Sequence, residues 1–161
     1  MSYAPSPAAL ERIDAAIALY PERSAALLPV LRVIQGDAGF ISPAAEIWVA
    51  ARLGLRPVQV REVVTFYTMF RREPAGRTVI QVCRNLSCTL AGAEEVLAAL
   101  RRELGLGPGD GDTTPDGAIT LVAVECLGNC DHAPCLQVDG LDRGPVTKEE
   151  AAAIVKEIRG R

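Results

Sequence analysis

Two cysteine pairs constrain this chain more than any other feature. Cys83 and Cys88 are separated by four residues, Cys126 and Cys130 by three. Each pair directly follows an apolar run of strand character, 78–82 before the first and 119–124 before the second. Were those two strands to lie side by side, four sulfurs would arrive at one edge of a sheet. Four thiolates gathered in a soluble protein point to a bound metal ion or an iron–sulfur cluster.

The residues around the cysteines suit such a centre. The first loop holds Arg84, Asn85, Leu86 and Ser87, the second Leu127, Gly128 and Asn129. Backbone N–H groups of short polar loops can turn toward sulfur, and Gly128 permits a tight turn. Local charge would tune a redox centre, with Arg84 raising its reduction potential against Glu125 and Asp131, which lower it. Spacing alone leaves three readings open. A [2Fe–2S] cluster takes four thiolates in a compact box. Structural zinc also takes four, although its cysteines usually stand two residues apart. The third reading is buried or disulfide-bonded cysteine. A Cys–His nucleophile fits less well, because His132 is the only histidine and reads as a surface or hydrogen-bonding residue. Cys135, directly after Pro134, reads as a small buried apolar residue.

Periodicity divides the chain at a short polar stretch, 71–76. Residues 1–72 read as four short helices forming a bundle: 8–20, 22–34 with Pro29 kinking it or delaying its start, 42–54, and one from Pro57 through Phe66. Ser42 is the expected N-cap of the third, with Pro43 in its first turn and Gly54 at its end. Leu19, Ile47 and Phe66 are assigned to apolar faces. Tyr67, Met69 and Phe70 cluster at the bundle's end and are expected to join the two halves or meet a partner. Residues 77–161 read as strand, helix (91–104), strand (119–124), short strand (136–138) and a final helix, capped by Thr147 with Glu150. The fold class is therefore α+β, a small helical bundle followed by a mixed sheet covered by helices, of which the thioredoxin-like fold is one arrangement.

Four segments carry a resemblance to a known family: 63–70 (VVTFYTMF), 82–88 (VCRNLSC) with 91–95 (AGAEE), 124–130 (VECLGNC), and Ala133-Pro134. Together with 53–57 they resemble the small thioredoxin-like [2Fe–2S] subunit of respiratory NADH:quinone oxidoreductase (complex I). Related subunits occur in NAD-dependent formate dehydrogenases and NAD-linked hydrogenases. The resemblance implies one [2Fe–2S] cluster held by Cys83, Cys88, Cys126 and Cys130. It also implies a helical N-terminal region packed on a flavin-bearing, NADH-binding partner, with further iron–sulfur subunits beyond. FMN and NAD are expected on that partner only. The shorter polar stretch 139–145 departs from the family's aromatic, acidic segment and leaves the branch of the family open.

What the chain itself offers agrees with a dependent subunit. Its glycine-rich stretch, 105–111, follows a helix and lacks a dinucleotide-binding fingerprint. NADH yields a hydride whereas a cluster carries one electron, so a flavin must stand between them. A net charge of −3 argues against a nucleic-acid partner. No apolar run approaches the ~18 residues that span a bilayer, and the start lacks the pattern of a secretory signal. The expected location is the cytoplasm, peripheral to the inner membrane through the complex. There thiols stay reduced, and the odd total of five cysteines argues against a disulfide framework. The competing assignment from a different class is a zinc-stabilised structural subunit.

Overall fold

The computed structural model describes residues 3–107 and 112–160. The chain divides into two compact units, Met1–Pro74 and Ala75–Arg161.

In the first unit, α1 (Pro7–Ala18) opens on Ser6, whose hydroxyl accepts the Ala9 N–H while Asp37 accepts from the Ser6 hydroxyl and N–H. A 3₁₀ turn, Arg23–Ala26, runs directly into α2 (Leu27–Ala38). Pro29 falls in the first turn of α2, where its missing N–H leaves no helical bond unmade. The delayed start, not the kink, is thus the outcome. The helix also continues through Gly36 and stops at Gly39 (φ 82°). Next, α3 (Pro43–Leu53) starts at Ser42 as its side-chain N-cap and ends at Gly54. The fourth helix, α4, is Pro57–Phe66. These helices close on Ile13, Val30, Leu31, Ile34, Val49 and Val60, each fully buried; each such side chain contributes about 1.5–3 kcal/mol by leaving water.

Three residues assigned to apolar faces are in fact exposed: Leu19, Ile47 and Phe66. Phe66 is the last residue of α4, 77% exposed. Its ring stacks edge-on with Tyr67 at 5.0 Å, and Tyr67 meets Phe70 at 6.4 Å. Phe70 alone of the three reaches the core. The Gln35 side chain clamps the segment, donating to the Met69 carbonyl and accepting from the Arg71 N–H.

The second unit is a four-stranded mixed sheet, order β2-β1-β3-β4. β1 (Thr78–Cys83) and β2 (Ile119–Val124) pair in parallel, Thr78 opposite Ile119 and Cys83 opposite Val124. The crossover joining them contains α5 (Leu86–Leu90) and α6 (Ala93–Leu104). β3 (Leu136–Val138) runs antiparallel to β1 and turns at Asp139-Gly140 into β4 (Leu141–Arg143). A final helix, α7 (Ala151–Arg159), follows the capping box of Thr147 and Glu150. Helices α6 and α7 pack Val96, Leu100, Leu104, Ile154, Val155 and Ile158 on Ile80, Leu121 and Leu136.

Two elements escape the sequence periodicity. α5 has five residues, too few to show a helical repeat, and it begins inside what reads as the first cysteine loop. β4 follows a two-residue Asp-Gly turn, a hairpin signal that stands in place of a direct passage to the last helix. The glycine-rich stretch is described at Gly105, in the left-handed conformation that ends α6. Its residues 108–111 lie outside the described part.

Candidate metal centre

Parallel pairing in register brings both cysteine loops to the same end of the sheet. Cys83 is the last residue of β1, opposite Val124, and Cys126 stands two residues beyond. The Arg84 N–H donates to the Val124 carbonyl at 2.9 Å, so the two chains stay in step as they leave the sheet. Cys88 sits inside α5, which begins at Asn85 with its side chain accepting the Leu86 N–H. Cys130 opens a 3₁₀ turn, Cys130–His132.

The first pair is buried, Cys83 and Cys88 each 1% exposed, whereas Cys126 and Cys130 face solvent. Within the second pair the sulfurs are 3.8 Å apart, and the Gly128 N–H points at the Cys126 sulfur at 3.4 Å. Gly128 has φ 80°, the left-handed conformation that lets this N–H turn inward. The loops also reach across to each other. Burial pushes the Cys83 thiol up, but N–H groups of Asn85 and Leu127 and the thiols of Cys88 and Cys135 outweigh it, holding it below the ordinary value. Leu127 belongs to the second loop, and its side chain packs against the buried group of Cys83, Cys88 and Cys135. Cys130 titrates above its ordinary value, first through the Cys126 thiol and its charge, while the Ser87 hydroxyl of the first loop opposes the rise.

Cys135 is the residue that sequence reasoning placed only as packing. It is buried as expected, yet its sulfur lies 3.6 Å from that of Cys88. The Sγ atoms of Cys83, Cys88 and Cys135 all fall within 4.8 Å of one another. Burial first, then Cys88, raise the Cys135 thiol to about 12, so it keeps its proton at neutral pH. Its spacing from the other cysteines gives no hint of this. The signal is the pairing of β3 with β1, which sets the Cys83 N–H on the Cys135 carbonyl at 3.1 Å.

The charges flanking the site do not act separately. Arg84 donates from both Nε (3.1 Å) and Nη2 (2.7 Å) to Glu125 Oε1. Their opposed effects on a redox centre beside them would therefore largely cancel, and the pair ties the two loops together. Asp131 is engaged by His132 Nδ1 at 3.2 Å, and the same nitrogen meets Asn129 Oδ1 at 3.0 Å. Among the described residues the sulfurs thus form two sets at one end of the sheet, the buried trio Cys83, Cys88 and Cys135 and the exposed pair Cys126 and Cys130. Thiols with an N–H group aimed at sulfur suit a sulfur-ligated iron centre.

Comparison with known proteins gives the family. Residues 13–159 match the thioredoxin-like [2Fe–2S] ferredoxin family. Relatives include a subunit of the NADH-quinone oxidoreductase of Rhizobium meliloti (strain 1021), 42% identical over 92% of this chain and 88% of its own length. A subunit of the Mycobacterium bovis NADH-quinone oxidoreductase is 38% identical over 98% of this chain, which spans only 63% of that relative. Another, from the Thermus thermophilus NADH-quinone oxidoreductase, is 42% identical over 79% of this chain and 70% of its own. Among solved structures, an NAD+-reducing [NiFe]-hydrogenase in its H2-reduced state superposes with a TM-score of 0.70 over 84% of this chain and 22% of that one. At 20% identity that likeness bears on the fold alone.

Proposed function

Because the chain belongs to the thioredoxin-like [2Fe–2S] ferredoxin family, we propose that it is an electron-transfer subunit of an NADH:quinone oxidoreductase of the complex I type. In this reading Cys83, Cys88, Cys126 and Cys130 hold one [2Fe–2S] cluster. Such a cluster, when bound, supplies one-electron storage at a potential set by its surroundings. The subunit takes no catalytic part itself, and FMN and NAD sit on a flavin-bearing, NADH-binding partner beside further iron–sulfur subunits. The observation that carries this reading is the parallel, in-register pairing of β1 with β2, which sets the Cys83–Cys88 and Cys126–Cys130 loops at one end of the sheet.

Each cluster-facing group of the chain has a separate task. Cys83 and Cys88 supply thiolates from a buried floor, Cys126 and Cys130 from an exposed rim. N–H groups of Asn85 and Leu127 favour the charged form of the Cys83 sulfur, and the Gly128 N–H points at the Cys126 sulfur. The Arg84–Glu125 pair holds the loops at a common spacing. The respiratory assignment is preferred to a hydrogenase or formate dehydrogenase because the relatives of higher identity are named for NADH-quinone oxidoreductase. Units 1–72 and 77–161 then act as a partner-binding bundle and a cluster domain. Phe66, Tyr67 and Met69, exposed together on the bundle, form the partner-facing patch. Among the described residues no helix is long and apolar enough to cross a membrane, so attachment to the inner membrane, on its cytoplasmic side, runs through the complex.

Purification of the tagged chain from its native cells tests the assignment. The expected eluate is coloured, contains iron and labile sulfide, and carries a flavoprotein with other iron–sulfur subunits. A colourless chain eluting alone with zinc would replace it with the structural reading.

A further inference from the structure

The trio of Cys83, Cys88 and Cys135 is itself a preformed donor set. Its three sulfurs lie within 4.8 Å of one another and each residue is at most 2% exposed. Ala93, Leu127 and Ala133 wall the group with apolar carbon. Among the described residues neither a carboxylate nor an imidazole belongs to it; the His132 ring turns instead to Asn129 and Asp131. Three separate segments hold the donors in place: Cys83 ends β1, Cys88 sits in α5, and Cys135 directly precedes β3, its carbonyl accepting the Cys83 N–H at 3.1 Å.

We propose that in the chain not yet loaded with its cluster, Cys83, Cys88 and Cys135 form a three-thiolate site for a soft monovalent cation, Cu(I). All-sulfur donor sets select Cu(I) over harder ions. Zinc fits this trio less well, since structural zinc takes four ligands in a tetrahedron. The two remaining cysteines stand at the exposed rim, paired with each other at 3.8 Å. Binding is not a redox step: Cu(I) enters as Cu(I), and each thiol that becomes a ligand gives its proton to solvent. Cys83 and Cys88 serve both sites, so cation and cluster exclude each other. That exclusion rests on the ligand set proposed above, whereas the three-thiolate site does not. The unloaded subunit is thereby a point at which excess copper blocks cluster assembly.

The test is an anaerobic titration of the iron-free full chain with Cu(I), in competition with the chromophoric chelator bicinchoninate. One tightly held Cu(I) per chain is expected, with a shell of three sulfurs in X-ray absorption. Cys135→Ala and Cys135→Ser should each weaken binding about a hundredfold or more by removing a ligand. Cys126→Ser and Cys130→Ser should leave it nearly unchanged. Cys135→Ala should still take up iron and sulfide, which reports that its fold is intact; the sulfur count on the unsubstituted chain needs no variant at all. Undiminished binding by Cys135→Ala, loss of binding in Cys126→Ser, or a two-sulfur shell would each overturn the proposal. A chain that binds Cu(I) through Cys135 yet never loads iron keeps this site and removes the cluster reading instead.

Discussion

In the proposed function the two cysteine loops share one chemical job, and they are built on different scaffolds. The first is built into regular structure: Cys83 closes a strand, and Cys88 lies in a helix capped by Asn85, both buried. The second is irregular and open, shaped by Gly128 and a single 3₁₀ turn, its sulfurs facing solvent. A buried sulfur in a packed setting can neither move nor rehydrate, while an exposed one can do both. On the proposed function, the first loop would fix where the centre sits and the second would supply its exposed side.

Removing one sulfur on each side probes this contrast most strongly. Cys83→Ser and Cys88→Ser should abolish cluster loading, because a buried hydroxyl replaces a thiolate in a site with no freedom to adjust. Cys126→Ser and Cys130→Ser should retain a partly occupied, spectrally shifted centre. Iron content and EPR lineshape across the four variants check this, and equal loss in all four would erase the distinction between the loops.

Backbone substitutions come next in size. Gly144 follows β4, and a Cβ there would collide with the His132 carbonyl and come within 3.1 Å of the Cys135 Cβ. Since a backbone carbonyl yields poorly, Gly144→Ala should lower the unfolding free energy by about 1–3 kcal/mol, read from the urea midpoint. Gly128→Ala meets open space but requires a left-handed residue, so about 1–2 kcal/mol is expected, with a larger effect on cluster retention than on the urea midpoint. If Gly128→Ala loses no cluster, the second loop is not a shaped element.

The bridge between the loops carries the least. Arg84 and Glu125 are both more than half exposed, so Arg84→Ala should cost below about 1 kcal/mol and less still in high salt. The reduction potential should shift little in the double variant Arg84→Ala/Glu125→Ala, because the two charges cancel. A large shift there would mean that they act independently.

How much of this was legible in the sequence follows the same division. Strong local signals translated directly: Ser42-Pro43 and Gly54 bound α3, Thr147 with Glu150 caps the 3₁₀ turn that runs into the last helix, and the apolar runs 78–82 and 119–124 became the parallel pair that sets the cysteine loops at one end of the sheet. Short elements did not. Five residues of α5 show no period, and Asp139-Gly140 marks a hairpin only to a reader expecting β4. Phe66 fits the apolar stripe of α4 but lies at its last position, where the stripe runs off the core. Cys135 could be read as buried, yet its approach to Cys88 depends on β3 pairing with β1, a contact between residues far apart in the chain.

At the heart of the proposed function, two cysteine pairs far apart in sequence make one binuclear centre. Quantitative EPR of the dithionite-reduced, iron-loaded chain, integrated against its iron content, is the decisive experiment. One spin for every two irons is expected, lost in Cys83→Ser and changed in lineshape in Cys126→Ser. A loaded chain with one metal ion and no spin, or a signal indifferent to both substitutions, would contradict it.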